Sequence, residues 1–113
     1  MTEREMAETF RTAHAAGTAA ATAAVPEPMH IAGYAPVTEG VCGFAWITIR
    51  PGTSHAARYA KRVLRARAGY HGGMEIWVSG YGQSMTRKEA YAEAFATTLR
   101  AAGIEATAGS RMD

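Results

Sequence analysis

Two stretches of alternating residues limit this chain to folds built on a sheet with one apolar face. From Val41 to Arg50 the odd-numbered positions are apolar or glycine, whereas the even-numbered positions carry cysteine, aromatic or polar residues. From Met74 to Ser79 the apolar residues again take every second position. A period of two predicts β-strands whose successive side chains point to opposite faces. We therefore expect helices to cover one sheet face, while the other carries aromatic and polar groups.

Helical patterns precede and separate these strands. Thr2 and Glu5 have the spacing of a capping box, and so do Thr86 and Glu89. Each pair predicts a helix start, and prolines 26 and 28 and Gly103 predict helix ends. The predicted elements are a helix from residue 3 to the prolines, a short strand around 31–37, a strand at 41–50, a helix from 53 or 54 to about 68, a strand at 74–79, a helix at 87–102 and a strand at 104–108.

This order predicts a mixed α/β fold, of the class described as α+β. An N-terminal helix is followed by β-α-β-α-β, with two helical crossovers packed mainly on the apolar face of a small sheet. Residues 1–28 form an Ala-rich helix with a Pro linker, and residues 29–113 form the small α/β domain. We expect the N-terminal helix to pack within the chain, although its small residues also suit a second copy.

Charge is unevenly distributed along the 113 residues, although the formal net charge is only +2. Residues 40–74 hold six bases and no acid, which leaves six bases against ten acids elsewhere. Such a division favours a surface for anionic partners, or else a solvated basic helix. The single Cys42 fits a reducing cytoplasm. We expect neither a signal peptide nor a membrane span, because no run is long and apolar enough.

The segment that joins the second strand to the third helix is rich in hydrogen-bond donors. Gly80 and Gly82 allow close backbone approach, and a helix N-terminus favours an anion. Basic residues there oppose the helix dipole, which an anionic ligand would explain. A plain tight turn uses the same glycines, so both interpretations stay open. The ligand-binding candidates in this loop are Ser79, Tyr81, Gln83, Ser84, Thr86, Arg87 and Lys88.

The alternation places Trp46 and Trp77 on adjacent strands of the same face, with Arg50 on that face. Aromatic rings on a sheet stack bases in nucleotide and single-strand binding sites. The alternative is a core layer buried under the N-terminal helix, because such rings are rarely left exposed. We include Trp46, Trp77 and Arg50 among the ligand-binding candidates, together with Arg111 of the C-terminal tail.

Catalytic and metal sites are poorly represented in this sequence. The four histidines have no metal-ligand spacing, and there is one cysteine. Cys42 is flanked by Val41 and Gly43 in a strand, which is typical of a small core residue. No spacing pairs Glu89 with a second carboxylate. We therefore expect no metal, no cofactor and no enzymatic activity.

The segments Val41–Ile49, Gly72-Gly73, Ile76–Val78, Gln83–Ala90 and Gly109–Asp113 resemble a group of small uncharacterised proteins of tailed bacteriophages. The resemblance covers roughly residues 41–113 and transfers no catalytic residue. It implies expression in the host bacterial cytoplasm. Phage proteins of this size are often counter-defence factors, including sponges for nucleotide immune signals, which is an analogy of class.

These observations predict a non-enzymatic binding protein for a nucleotide-like or phosphate-bearing ligand, with counter-defence as a possible role. We expect a homo-oligomer and no membrane partner. Two alternatives stay open: a single-stranded nucleic-acid-binding protein that uses the basic helix and the aromatic face, and a protein-interaction module that inhibits a host factor.

Overall fold

The computed structural model describes residues 1–25, 42–82 and 84–112. Its elements are α1 (Glu3–Ala23), β1 (Gly43–Ile49), α2 (His55–Leu64), β2 (Arg67–Ala68), β3 (Met74–Trp77), α3 (Met85–Ala101) and β4 (Ala106–Met112). The predicted α+β order is confirmed, with the two-residue β2 added before β3. The strand expected around 31–37, together with Val41 and Gln83, lies outside the described residues.

The four strands form one sheet in the order β2-β3-β1-β4, and all neighbours are antiparallel. The sequence left the strand order open, and in the structure each helical connection skips a strand. The α2 connection runs from β1 past β3 to β2, and the α3 connection runs from β3 past β1 to β4. This is the split β-α-β arrangement of a β-α-β-β-α-β fold. β1 therefore lies at the centre, with a long strand on one side and the shorter β3 on the other.

The predicted apolar sheet face is the one that the helices cover. Ala45, Ile47 and Ile49 of β1 are buried in one cluster with Phe95 and Leu99 of α3. Burial of each large apolar side chain contributes about 1.5–3 kcal/mol, so this layer fixes which face of the sheet points inward. The small sheet with its helices on one face is thereby confirmed.

Helix α1 packs against α3 and the core, and the alternative position on the aromatic face is wrong. Its N-terminus is the predicted capping box: the Glu5 N–H donates to Thr2 Oγ1 at 3.1 Å, and the Thr2 N–H donates to Glu5 Oε1 at 2.8 Å. Phe10 meets the rings of Tyr59 and Phe95 at centroid distances of 4.9 and 5.9 Å. The aromatic residues of α1, α2 and α3 therefore join all three helices in a single core.

Helix α3 begins two residues earlier than the Thr86–Glu89 pattern predicted, so that capping box is wrong. Ser84 is the N-cap, and its Oγ accepts from the Arg87 N–H at 3.2 Å. Ser84 also forms an isolated antiparallel bridge with Cys42. That bridge holds Ser84 in the extended conformation that an N-cap requires.

The bounds of α2 and β4 also differ from the prediction. α2 ends at Leu64 rather than near Ala68, because Arg65 takes a left-handed conformation with φ 59° and the chain turns into β2. β4 begins at Ala106 because the Ile104 N–H still donates to Leu99 O in the cap of α3. It then continues to Met112, since β1 offers a partner along its whole length.

Candidate functional site on the aromatic sheet face

The sheet face opposite the helices carries a cluster of aromatic side chains. Trp46 of β1 lies directly opposite Trp77 of β3, and their ring centroids are 4.9 Å apart with a 31° angle between the planes. Phe44 lies two residues along β1 and meets Trp77 edge-on at 6.1 Å. Phe44 and Trp46 are half-buried, and Trp77 is 38% exposed. The predicted pairing of the two tryptophans on one face is confirmed.

Gly109 provides the space in which Trp46 lies flat on the sheet. It is opposite Trp46 in the β1–β4 register. A Cβ atom at Gly109 would come within 2.7 Å of Trp46 Cε2 and Nε1. The indole therefore covers the backbone of β4, and Trp46 and Trp77 form a continuous aromatic surface across three strands.

Two cations approach this surface at the end of the sheet where β1 begins. Arg111 is opposite Phe44 in the register, and its guanidinium carbon is 5.4 Å from the Phe44 centroid and 6.0 Å from the Trp77 centroid. Lys88 reaches the same ring from α3, with Nζ 5.5 Å from the centroid. We call Phe44, Trp46, Trp77, Lys88 and Arg111 the sheet-face site. Its two positive charges converge on one aromatic ring.

Lys88 is an unusual residue, because a lysine is rarely buried without a charged partner. It is 8% exposed, and its Nζ donates to Gly43 O at 3.2 Å. Within residues 1–25, 42–82 and 84–112, the ion pairs join Glu3 to His55 and Arg62 and involve neither Lys88 nor Arg111. An ammonium has three N–H donors, and Gly43 O is the acceptor that the described residues give Lys88 Nζ.

Two nearby carboxylates make hydrogen bonds that orient the site. Glu89 Oε2 accepts from Ser110 Oγ at 2.6 Å, which ties α3 to β4 beside Lys88 and Arg111. Glu75 Oε1 accepts from Trp77 Nε1 at 3.2 Å. Glu75 is opposite Thr48 near the far end of β1 and opposite Arg67 of β2, so its negative charge lies on the side away from the two cations.

The structure brings together four of the eleven candidate residues: Trp46, Trp77, Lys88 and Arg111. Arg50 is on the same face but follows the far end of β1, about 20 Å from Phe44 at ~3.3 Å per residue. Its N–H donates to Glu105 O at 3.1 Å, and its side chain is exposed. Arg50 therefore does not join the sheet-face site.

The loop candidates are distributed over several structural roles. Ser79 is exposed, Thr86 is half-buried in the first turn of α3, and Gln83 lies outside the described residues. Tyr81 turns to the helix side and faces Tyr91, with 6.0 Å between centroids. Ser84 is fully buried as the N-cap of α3.

Arg87 links α3 to α1. Its Nη1 donates to Ala21 O at 2.9 Å, where the carbonyl groups at the C-terminal end of α1 favour a cation. This contact gives a structural reason for a base in the first turn of α3. The explanation offered from the sequence, an anionic ligand, is therefore not required for Arg87.

Phe44 and Gly109 belong to the site but were not among the candidates. The alternation that selected Trp46 also places Phe44 on the same face, so the sequence held a usable signal for it. Gly109 had no such signal, because its role depends on the β1–β4 register. Among the described residues, no group of three or more His, Cys, Asp or Glu side chains could hold a metal ion.

Searches of protein-family models, curated proteins and solved structures find no match to this chain. In the part of the chain that the structure describes, no helix has the length and apolar character needed to cross a membrane.

Proposed function

We propose that this protein binds a nucleotide-like, phosphate-bearing ligand at the sheet-face site, without catalysing a reaction. The observation that carries the proposal is the convergence of Lys88 and Arg111 on Phe44, next to the partly exposed ring of Trp77. A base would stack on the tryptophan surface, and a phosphate would take the positions near the two cations.

The energetics of such binding are favourable for these residue types. Stacking of a base on an aromatic side chain contributes about 1–3 kcal/mol. A guanidinium can donate two parallel N–H groups to two phosphate oxygens. Such charge-assisted hydrogen bonds are stronger than hydrogen bonds between neutral groups. Lys88 is held by the carbonyl of Gly43, so little side-chain entropy remains to be lost when it binds a phosphate.

Charge distribution favours a ligand with few phosphates over a long strand. Arg58, Lys61 and Arg62 lie on α2, which packs on the opposite face of the sheet. Glu75 would repel a phosphate backbone that continued from the tryptophans towards the far end of β1. Arg50 and Arg67 lie at the other end of this face, beyond Glu75 in the register, so the cations that contact the aromatic rings are Lys88 and Arg111.

A single-stranded nucleic acid is the second candidate ligand. One observation favours it: Phe44, Trp46 and Trp77 lie on the two central strands of an open four-stranded sheet. RNA-recognition sheets stack two or three bases on aromatics placed in this way. The basic α2 packs on the other side of the sheet, so a strand stacked on the aromatic face would reach α2 only by passing around the sheet edge.

The biological setting is part of the proposal and is supported by the resemblance to small phage proteins. Sequestration of a nucleotide signal in the host cytoplasm would then counter host defence. The proposal includes a homo-oligomer, because the described residues contact a ligand on this face from one side and a second copy would cover the other. Sedimentation equilibrium tests this part, and a single species near 12.0 kDa contradicts it.

The ligand proposal is tested with adenosine 5′-monophosphate, inorganic phosphate and a single-stranded DNA of about ten nucleotides. Tryptophan fluorescence should change saturably with the nucleotide, and R111Q should weaken binding about tenfold or more, ~1.4 kcal/mol. The matched control is R58Q, because Arg58 is exposed on α2. A nucleotide should show a shallow salt dependence, whereas a strand gives a steep one.

Two outcomes contradict the proposal. One is the absence of saturable binding by nucleotides together with no small molecule released when the purified protein is denatured and analysed by mass spectrometry. The other is tight DNA binding with a steep salt dependence, which would promote the second candidate.

A further inference from the structure

A separate cavity of about 230 Å³ lies on the helix side of β3. It is enclosed by α1, α3, the end of α2 and the segment that follows β3. Aromatic and apolar side chains dominate its lining, and they include Phe10, Leu64, Val78, Tyr81, Tyr91 and Phe95. The cavity reaches Trp77 from the side opposite to the sheet-face site.

The polar groups of this cavity are few and neutral in character. Among residues 1–25, 42–82 and 84–112, those that line it include no aspartate, glutamate, lysine or arginine. The Tyr91 hydroxyl is 2.6 Å from His14 Nδ1. Burial, with a smaller effect of Tyr81, raises the pKa of Tyr91 to about 12. The Tyr91 hydroxyl is therefore protonated at neutral pH, and beside its bond to His14 its oxygen has lone pairs that can accept a further hydrogen bond.

Tyr81 adds a second unusual feature at the same place. Its φ of 62° lies in the left-handed region, which is rare for a bulky residue and concentrates at binding sites. The Ser84 N–H donates to Tyr81 O at 3.1 Å, and this hydrogen bond closes the turn that contains Tyr81. The Tyr81 ring is thereby directed towards Tyr91 over the cavity.

We propose that this cavity binds a small, neutral, single-ring aromatic molecule that carries one hydrogen-bonding group. The volume is below the ~300–1,000 Å³ of pockets for drug-sized ligands. It exceeds the ~150 Å³ that suffices to hold benzene in an apolar protein cavity. The ring would lie among the aromatic side chains, and its polar group would meet the hydroxyl or imidazole of the Tyr91–His14 pair. An anion is disfavoured because the described residues that line the space include no lysine or arginine.

Phenol and benzoate are the probes for this proposal, since they have similar rings and differ in charge. Titration of the full chain is followed by amide shifts in two-dimensional NMR. Phenol should produce saturable shifts for residues around Tyr81 and Tyr91, whereas benzoate at equal concentration should not. Absence of saturable phenol shifts, or equal binding of benzoate, overturns the proposal.

Variants localise the binding and separate it from the sheet-face site. Y91F should weaken phenol binding by about threefold or more, because a hydroxyl partner is lost. Y70F is the matched control, since Tyr70 is 96% exposed and outside the cavity. R111Q should leave phenol binding unchanged. Unchanged phenol affinity in a folded Y91F protein contradicts binding beside Tyr91. If Y91F does not fold, the comparison of phenol with benzoate in the wild-type protein still tests the proposal.

Discussion

Replacement of Gly109 by alanine is the sharpest test of the aromatic surface. A Cβ atom at this position would be 2.7 Å from two atoms of the Trp46 ring and 2.9 Å from a third. Ordinary contact begins near 3.4 Å, so the ring is about 0.7 Å too close. An indole is rigid, and the Cβ is fixed to the backbone of β4. Trp46 must therefore leave its position over the strand.

The size of the effect follows from this displacement. Overpacking of a well-packed position costs about 1–3 kcal/mol. The Trp46–Trp77 contact, with 4.9 Å between centroids, would also change, and aromatic pairs contribute about 0.5–1.5 kcal/mol beyond burial. We expect G109A to lower the free energy of unfolding by about 1–3 kcal/mol. The loss of a flat stacking surface should weaken nucleotide binding by about tenfold, because base stacking contributes about 1–3 kcal/mol.

Urea denaturation followed by tryptophan fluorescence measures the first effect, and nucleotide titration measures the second. The matched control is G52A, where a Cβ would meet only the backbone of Gly73 at an ordinary 3.4 Å. If G109A has wild-type stability and wild-type tryptophan emission, Trp46 does not lie over Gly109. If it loses stability but keeps full nucleotide affinity, Trp46 is not part of the binding surface.

Two further predictions concern stability. R87Q should lower the free energy of unfolding, measured by urea denaturation, by about 1–2 kcal/mol, because the charged hydrogen bond to Ala21 O is lost. An unchanged denaturation midpoint would show that this contact does not stabilise the packing of α1 on α3. The raised pKa of Tyr91 predicts a loss of stability in alkali that Y91F lacks. The unfolded pKa is near 10 and the folded one about 12, so this stabilisation is fully present below pH ~10 and is lost as the pH rises from 10 to 12. The stabilisation lost has an upper limit of about 2.7 kcal/mol, from a pKa difference of about two units. Because solvent screens a partly exposed ring, we expect a loss of ~1 kcal/mol. Melting temperatures of both proteins between pH 9 and 11.5 measure the difference, and parallel pH profiles would contradict the assignment.

Much of the architecture was predictable because two local patterns determine it. The alternation in β1 and β3 identified both sheet faces, and the apolar face is buried as expected. The pairing of Trp46 with Trp77 followed from the same pattern. Thr2 and Glu5 marked the start of α1 correctly. These features depend on residues that are close in sequence, where side-chain chemistry decides the local structure.

The parts that the sequence did not predict depend on distant contacts. Arg65 ends α2 in a left-handed conformation. Glycine is the usual residue in that conformation at a helix end, and because an arginine stands there, the sequence did not predict the turn into β2. The polar segment Gly109–Met112 has little strand propensity of its own and is ordered by pairing with β1. The crossing of each helical connection over a strand is likewise a property of the whole sheet.

The candidate site was predicted in part for the same reason. The sequence correctly predicted that Trp46 and Trp77 lie side by side. Arg111 lies near them because β4 continues to Met112, which places Arg111 opposite Phe44. Arg87 and Ser84 were selected for polar chemistry at a helix start, yet Arg87 bonds α1 and Ser84 caps α3. A polar residue at a helix N-terminus serves the helix itself more often than a ligand, and only tertiary contacts separate the two roles.

The basic surface of α2 provides the prediction that decides between a nucleotide and a nucleic-acid strand. Arg58, Lys61 and Arg62 are exposed on α2, on the helix side of the sheet, whereas Arg111 lies on the aromatic face. A small ligand on that face cannot contact the three α2 residues. The variant with all three changed to glutamine should therefore keep its nucleotide affinity within about tenfold, or ~1.4 kcal/mol. A strand that wraps around the sheet edge would lose several phosphate contacts, and its salt dependence would become shallower by about one per lost contact. An electrophoretic shift with single-stranded DNA at near-physiological salt, compared with the nucleotide titration, distinguishes the two ligands. Tight DNA binding that the triple variant loses would show that α2, and not the sheet-face site, provides the main attraction.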